Sequence, residues 1–197
     1  MPLRHLLAAA AIVVAAPVSA QQLSLGEISG YLNALQTATA GFTQVNVDGS
    51  ISTGTLYLKR PGRIRFEYAD ASALFLAGGG QVAVFDAAST EGPQRFPLSE
   101  TPLSIILADN VDLGRAGMVT GHTSDGTTTT VTAQDPQHPD YGSIQLVFTA
   151  SPIELRQWVV TDGSGNQTTV VLNDLQPGVR IGDRAFNIQA AMSDWGG

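Results

Sequence analysis

The chain has 197 residues and no cysteine, with 14% charged and 43% hydrophobic residues and a formal charge of −7. Without cysteine there are no disulfides, no thiolate chemistry and no Cys-based metal site, so core burial alone must hold the fold. The acidic balance excludes nucleic acid, whose phosphates need clustered Lys and Arg, and gives no help at an anionic membrane surface.

Residues 1–20 read MPLRHLLAAAAIVVAAPVSA: Arg4, an apolar run from Leu6 to Ala16, then Val18-Ser19-Ala20. This is the pattern of a signal peptide, with cleavage expected before Gln21. The apolar run is about half the ~20 residues that span a bilayer. Removal of residues 1–20 leaves a single domain, 21–197, of 177 residues, and loss of Arg4 takes the charge to −8. That length is ample for one sizeable core.

The domain is expected to open with a helix. Ser24 and Glu27 form a capping box, and Leu25, Ile28, Leu32 and Leu35 recur at helical spacing, with the end at Ala38 to Gly41. From Phe42 the period becomes two, and Asp48-Gly49, Gly78-Gly79-Gly80, Asp125-Gly126 and Asp162-Gly163 read as hairpin turns. Along Arg63 to Tyr68, the side chains of Ile64, Phe66 and Tyr68 point one way and Arg63, Arg65 and Glu67 the other. Ile144, Leu146 and Phe148 share a face in the same manner. Further strands are expected near 43–47, 51–59, 73–77, 81–86, 118–123, 127–133, 155–161, 168–174 and 180–188. The spacing predicts one large antiparallel sheet, a sandwich or a barrel.

One segment breaks the pattern. Thr101 as N-cap and Pro102 in the first turn open a short helix through Ala108. Leu103, Ile106 and Leu107 share a face while Ile105 lies opposite, so both sides want cover. The loop before it, 87–100, is rich in small and polar residues. On residues alone, a plain core helix and a plug or lid over a curved sheet are both open.

Catalytic chemistry has little to work with. His122 and His138 have no partner at ligand spacing. Asp135, His138 and Asp140 sit in a Pro-bounded turn. Asp162-Gly163-Ser164-Gly165-Asn166 resembles part of a calcium loop, but its later ligands are missing. No phosphate loop or nucleophile elbow is present. The reading is therefore not an enzyme, with no cofactor and no metal.

What remains is Gly54-Thr55-Leu56-Tyr57-Leu58-Lys59-Arg60-Pro61-Gly62-Arg63-Ile64-Arg65-Phe66-Glu67-Tyr68, a strand, a Pro-Gly corner and a second strand. This block resembles the LolA family, periplasmic carriers of outer-membrane lipoproteins. The resemblance continues through Phe42-Thr43-Gln44, Thr101-Pro102-Leu103, Gly142 to Phe148, Leu155-Arg156-Gln157-Trp158 with Asp162-Gly163, and Phe186.

The resemblance implies a mainly β fold: an incomplete, half antiparallel β-barrel closed by an N-terminal helix and a short inserted lid helix. It implies a monomer in the periplasm that shelters the acyl chains of lipoproteins. Cargo would pass from an inner-membrane LolCDE-type ABC transporter to a LolB-type acceptor or directly to the outer membrane. The gating arginine of the family falls on Arg60. The expected cavity wall is Ile64, Phe66 and Tyr68 with Ile144, Leu146 and Phe148, and the lid contributes Leu103, Ile105 and Ile106.

Well-known members carry a longer C-terminal region with a further strand, whereas this chain stops about eleven residues after Phe186. LolB needs a lipidated cysteine, and RseB-like regulators add a second domain that 177 residues cannot hold. An outer-membrane barrel would want an outward apolar band and a terminal aromatic residue, and Trp195 is third from last. A periplasmic lipid-binding protein of the same half-barrel fold, not dedicated to lipoproteins, is the alternative reading.

Overall fold

The computed structural model describes residues 22–195, so the signal segment and the cleavage point before Gln21 lie outside the described residues. Helix α1 (Leu25–Ala34) starts at the capping box: Glu27 N donates to Ser24 Oγ at 3.2 Å, and Ser24 N donates to Glu27 Oε2 at 2.8 Å. Its buried residues are Ile28 and Leu32. The expected helix end at Ala38–Gly41 is corrected, because the chain is already extended from Thr37. Ala38, Ala40 and Phe42 point inward from that strand. Alanine and glycine carry little strand preference, which hid the change of period.

Eleven strands build one antiparallel sheet. The first arm holds β1 (Thr37–Val45), β2 (Ile51–Lys59), β3 (Arg63–Tyr68), β4 (Ala73–Gly78), β5 (Gln81–Asp86) and β6 (Gln94–Pro97). The second holds β7 (Val119–Ser124), β8 (Thr128–Gln134), β9 (Ser143–Ala150), β10 (Ile153–Thr161) and β11 (Gln167–Pro177). β11 pairs with β1 in the middle, leaving β6 and β7 as the two edges of an open sheet. Helix α2 (Leu103–Leu107) lies in the crossover between the arms.

The sheet is curled. β3 and β10 are four strand spacings apart, which would be ~19 Å in a flat sheet. The rings of Phe66 on β3 and Trp158 on β10 nevertheless meet edge to face at 6.2 Å. Gly54 helps the bend, since a Cβ there would lie 2.8 Å from the Phe42 ring and 2.0 Å from Glu67 O. The concave face, α1 and α2 share one apolar core. The fold is thus mainly β, an incomplete barrel covered by an N-terminal helix and an inserted helix.

Two further expectations are corrected. The loop 87–100 contains β6, which pairs with β5. The expected strand at 180–188 is instead a 3-10 turn at Asp183–Phe186 followed by α3 (Ile188–Trp195). This segment crosses the convex face, and side chains meet its carbonyls: Lys59 Nζ donates to Ile181 O at 2.8 Å and Arg65 Nη1 to Ala185 O at 3.1 Å. Phe186, Ile188 and Ala191 pack on Leu74, Leu76, Ala83 and Phe85 to make a second, outer core. At Gly78 a Cβ would lie 2.1 Å from Phe186 O, so only glycine admits this crossing.

Candidate functional site

The site is built from the concave face upward. On β3, Ile64 and Phe66 are buried and Tyr68 is half-buried, its hydroxyl donating to Gln44 Oε1 at 3.0 Å. Facing them from the other arm are Ile144, Leu146 and Phe148 of β9, all with 0% exposure. Phe66 forms edge-to-face pairs with Phe42 at 5.2 Å and Phe75 at 5.5 Å. Tyr31 of α1 meets Phe148 edge-on at 5.8 Å. Beside a register shift between Leu155 and Gln157, Leu155 N donates to Tyr31 Oη at 3.1 Å. Helix α1 is thereby tied to β10.

Helix α2 lies over this surface. Leu103, Ile105, Ile106 and Leu107 are all buried. Ile105 belongs to the same apolar core as Val111, Leu113 and Met118 of the segment after the helix. The expected N-cap is corrected: Pro102 occupies that position, and Thr101 Oγ1 donates back to Leu98 O at 2.8 Å. A 3-10 turn at Leu98–Glu100 leads into the helix, and its first carbonyl claims the hydroxyl.

The C-terminal end of α2 is fastened to the β2–β3 corner. Gly62 N donates to Leu107 O at 2.8 Å, and Arg60 Nη2 donates to Ala108 O at 2.5 Å. Arg60 also donates through Nη1 to Leu32 O and through Nη2 to Asn33 Oδ1 at 3.2 Å. It is 5% exposed, and Nε has no partner among the described residues. Leu32 O is one of the carbonyls left over at the end of α1, where the helix dipole favours a cation. Burial pushes the guanidinium pKa down and nearby Asp109 pulls it back up. A guanidinium keeps its charge at neutral pH.

Asn33 and Ser29 are site residues that sequence reading missed. Asn33 Oδ1 accepts from Val111 N at 2.8 Å while its Nδ2 donates to Val111 O at 2.9 Å. Leu113 N donates to Ser29 Oγ at 3.1 Å. Both lie on α1 and clamp the segment that follows α2. In sequence they look like the solvated face of an amphipathic helix, and no local signal marks them.

The predicted wall residues meet in one core, yet they do not surround an open cavity. Among the described residues, the void beneath the helix is about 20 Å³, room for about one water. Arg60 and Ile106 line it with Leu32, Leu35, Leu56, Leu58, Leu155, Trp158, Leu172 and Leu175. Of the expected set, only Arg60 and Ile106 touch this void. The geometry is that of a filled half-barrel under a fastened helix.

His122 and His138 each have a partner among the described residues. His122 Nε2 lies 2.8 Å from Leu23 O, and His138 stacks on Tyr141 at 4.8 Å. Asp162 accepts from Ser164 N and Asn166 N, the bonds of a tight turn.

The family model described as outer membrane lipoprotein carrier protein LolA matches residues 33–189. The chain belongs to the LolA family. Among its relatives is the outer-membrane lipoprotein carrier protein of Azotobacter vinelandii, 25% identical over 177 residues, 85% of this chain and 84% of the relative. The protein of the same description from Chromobacterium violaceum is 25% identical over 180 residues, 87% and 86% of the two chains. A solved LolA superfamily protein from Nitrosomonas europaea aligns with TM-score 0.41 and 12% identity, covering 84% of this chain and 98% of that one. At the level of the LolA family, the role is that of a lipoprotein carrier.

Proposed function

We propose that residues 21–197 act as a monomeric periplasmic carrier that shelters lipoprotein acyl chains against the concave face, beneath α2. The signal-like N-terminus supports export, and LolA membership supports the cargo. Loading would come from a LolCDE-type ABC transporter, and unloading would go to a LolB-type acceptor or directly to the outer membrane.

The observation that carries this reading is the latch. A five-residue helix whose four apolar side chains are all buried is held over an aromatic-rich surface by polar bonds from Arg60 and Gly62 to its C-terminal carbonyls. A permanent core helix needs no buried charge there. A lid that leaves and returns does, because the bonds give the closed state a defined register. Ile64, Phe66, Tyr68, Ile144, Leu146 and Phe148 would form the acyl-facing wall, with Leu103, Ile105 and Ile106 displaced on loading. Burial of acyl chains, at ~0.8 kcal/mol per CH₂, is ample to offset the loss of such bonds.

The test is mass spectrometry of the protein purified natively, without detergent, from the periplasm. Acylated polypeptide should co-elute one to one. Free lipid without polypeptide would favour the general lipid-binding alternative, and an empty protein under loading conditions would contradict both.

A further inference from the structure

The β2–β3 corner, Arg60-Pro61-Gly62, is held from both faces of the sheet. On the inner side Arg60 and Gly62 reach the carbonyls at the end of α2. Arg60 N donates to Gln36 O at 2.8 Å, which ties the corner to the link between α1 and β1. On the outer side Arg63 folds back over the corner: its Nε donates to Lys59 O at 3.1 Å and its Nη2 to Arg60 O at 3.3 Å. Lys59 and Arg63 are the register pair that flanks the corner. Their side chains converge on one oxygen of Asp183, at 2.6 and 2.8 Å, and Lys59 Nζ also donates to Ile181 O at 2.8 Å. The Asp183 carboxylate thus sets where the Arg63 guanidinium sits. That guanidinium in turn holds the carbonyl of the residue whose side chain fastens the lid.

Stability is a poor explanation for this arrangement. The Asp183 side chain is 77% exposed, and ion pairs in such a setting contribute little to folding. The strap is anchored without them, by Phe186, Ile188 and Ala191 in the outer core. What the carboxylate supplies is placement. One cation on β2 and one on β3 share a single acceptor, so neither strand end shifts without the other. A corner of three residues would otherwise be free to move relative to its strands. Arg60 has no such latitude, because its bonds to Ala108 O and Asn33 Oδ1 span 2.5 and 3.2 Å. A shift of about 1 Å at the corner would carry both out of hydrogen-bond range.

We propose that Asp183, acting through Lys59 and Arg63, is a positioning residue that holds the β2–β3 corner so that Arg60 and Gly62 stand at the landing place of α2. The C-terminal strap is then part of the gate as well as the cover of the outer core. With α2 displaced the corner keeps its place, and the helix returns to the same register. What the latch does for cargo rests on the carrier reading. That Asp183 sets the geometry of the latch stands apart from it.

The test is amide exchange on the full mature protein, read at Gly62, whose N–H donates to Leu107 O while the lid is seated. In Asp183→Ala the Gly62 amide should exchange at least about threefold faster, while the amide of Leu146 in mid-sheet keeps its wild-type rate. Asp183→Glu keeps the carboxylate and should recover most of the protection. Arg184→Ala removes an ion pair of the same strap, to Asp194 at 3.0 Å, that does not touch the corner, and Gly62 should exchange there as in wild type. A strap that matters only by staying attached would respond alike to both alanine variants. Gly62 exchange unchanged in Asp183→Ala, or raised as much by Arg184→Ala, would overturn the positioning role. If Gly62 follows the expected pattern while wild type takes up no acylated peptide, the carrier reading falls and the positioning role stands.

Discussion

Arg60 carries a full charge into a place where neutral groups meet it. Each bond from a charged donor to a carbonyl contributes about 1.5–3 kcal/mol, while the unpartnered buried Nε costs about 1–3 kcal/mol. The two effects leave a modest net preference for the closed state, which suits a latch that must release. Arg60→Leu removes the bonds to Leu32 and Ala108 without touching the concave wall. The variant should fold and accept acylated cargo but transfer it to outer-membrane vesicles more slowly, because closing no longer helps to expel it. Unchanged transfer would reduce Arg60 to a structural cap on α1. Asn33→Ala should free the segment after α2, with faster amide exchange at Val111 and a stability loss of about 1–3 kcal/mol, since it strips a matched donor and acceptor. The Pro61-Gly62 corner was legible in the sequence because turn chemistry is local. The burial of Arg60 was not, because its partners Leu32 and Ala108 lie 28 and 48 residues away.

At the scale of elements, α2 and the C-terminal segment play opposite parts. Helix α2 is held at one end by polar bonds and otherwise by apolar contact, and Ile106 borders the internal void. Ile106→Ala should lower stability by about 2–5 kcal/mol, read by thermal or denaturant unfolding. The same change should speed entry of an acyl probe by enlarging the space beneath the lid. The C-terminal segment is strapped to the convex face by ion pairs. Lys59 Nζ and Arg63 Nη1 both lie on Asp183 Oδ1, at 2.6 and 2.8 Å. The Lys59 ammonium above all, and then Arg63, hold the Asp183 carboxyl below its ordinary value of 3.8. A depressed folded-state value means that the strap's stabilisation is present above about pH 3.8 and fades as pH falls through the lower folded value. Trp195, which packs on Phe85 at 5.5 Å, reports this as an acid shift in emission. In Asp183→Asn the acid-dependent step should disappear. The strand expected at 180–188 went wrong here for a physical reason. Arg63, Arg65 and Lys59 look like an ordinary solvated sheet face, and nothing local says that Lys59 and Arg65 donate to the carbonyls of Ile181 and Ala185, or Arg63 to the Asp183 carboxylate, about 120 residues later. The 73–77 and 81–86 strands were read correctly, but their outward Leu74, Leu76 and Phe85 were not read as a second core awaiting a helix.

The described residues form a curled sheet with two separate cores, and in the proposed cycle it is the inner one that α2 uncovers. Alternation along β3 and β9 made its wall legible. The closed void was not, because packing between arms depends on curl rather than on residue order. An internal space of about 20 Å³ cannot hold an acyl chain, so loading requires α2 to move and the wall aromatics to part. In the proposed opening the outer core, held by the strap, stays intact. The two tryptophans sit on opposite sides of this division: Trp158 in the inner core and Trp195 in the outer packing. The central claim, that cargo chains lie on the concave side beneath α2, is tested most directly by a lipopeptide brominated midway along its acyl chains. In a Trp195→Phe protein it should quench Trp158 emission in step with binding, and in a Trp158→Phe protein it should leave Trp195 unchanged. Binding that quenches Trp195 and spares Trp158 would place the cargo on the convex face and contradict the account.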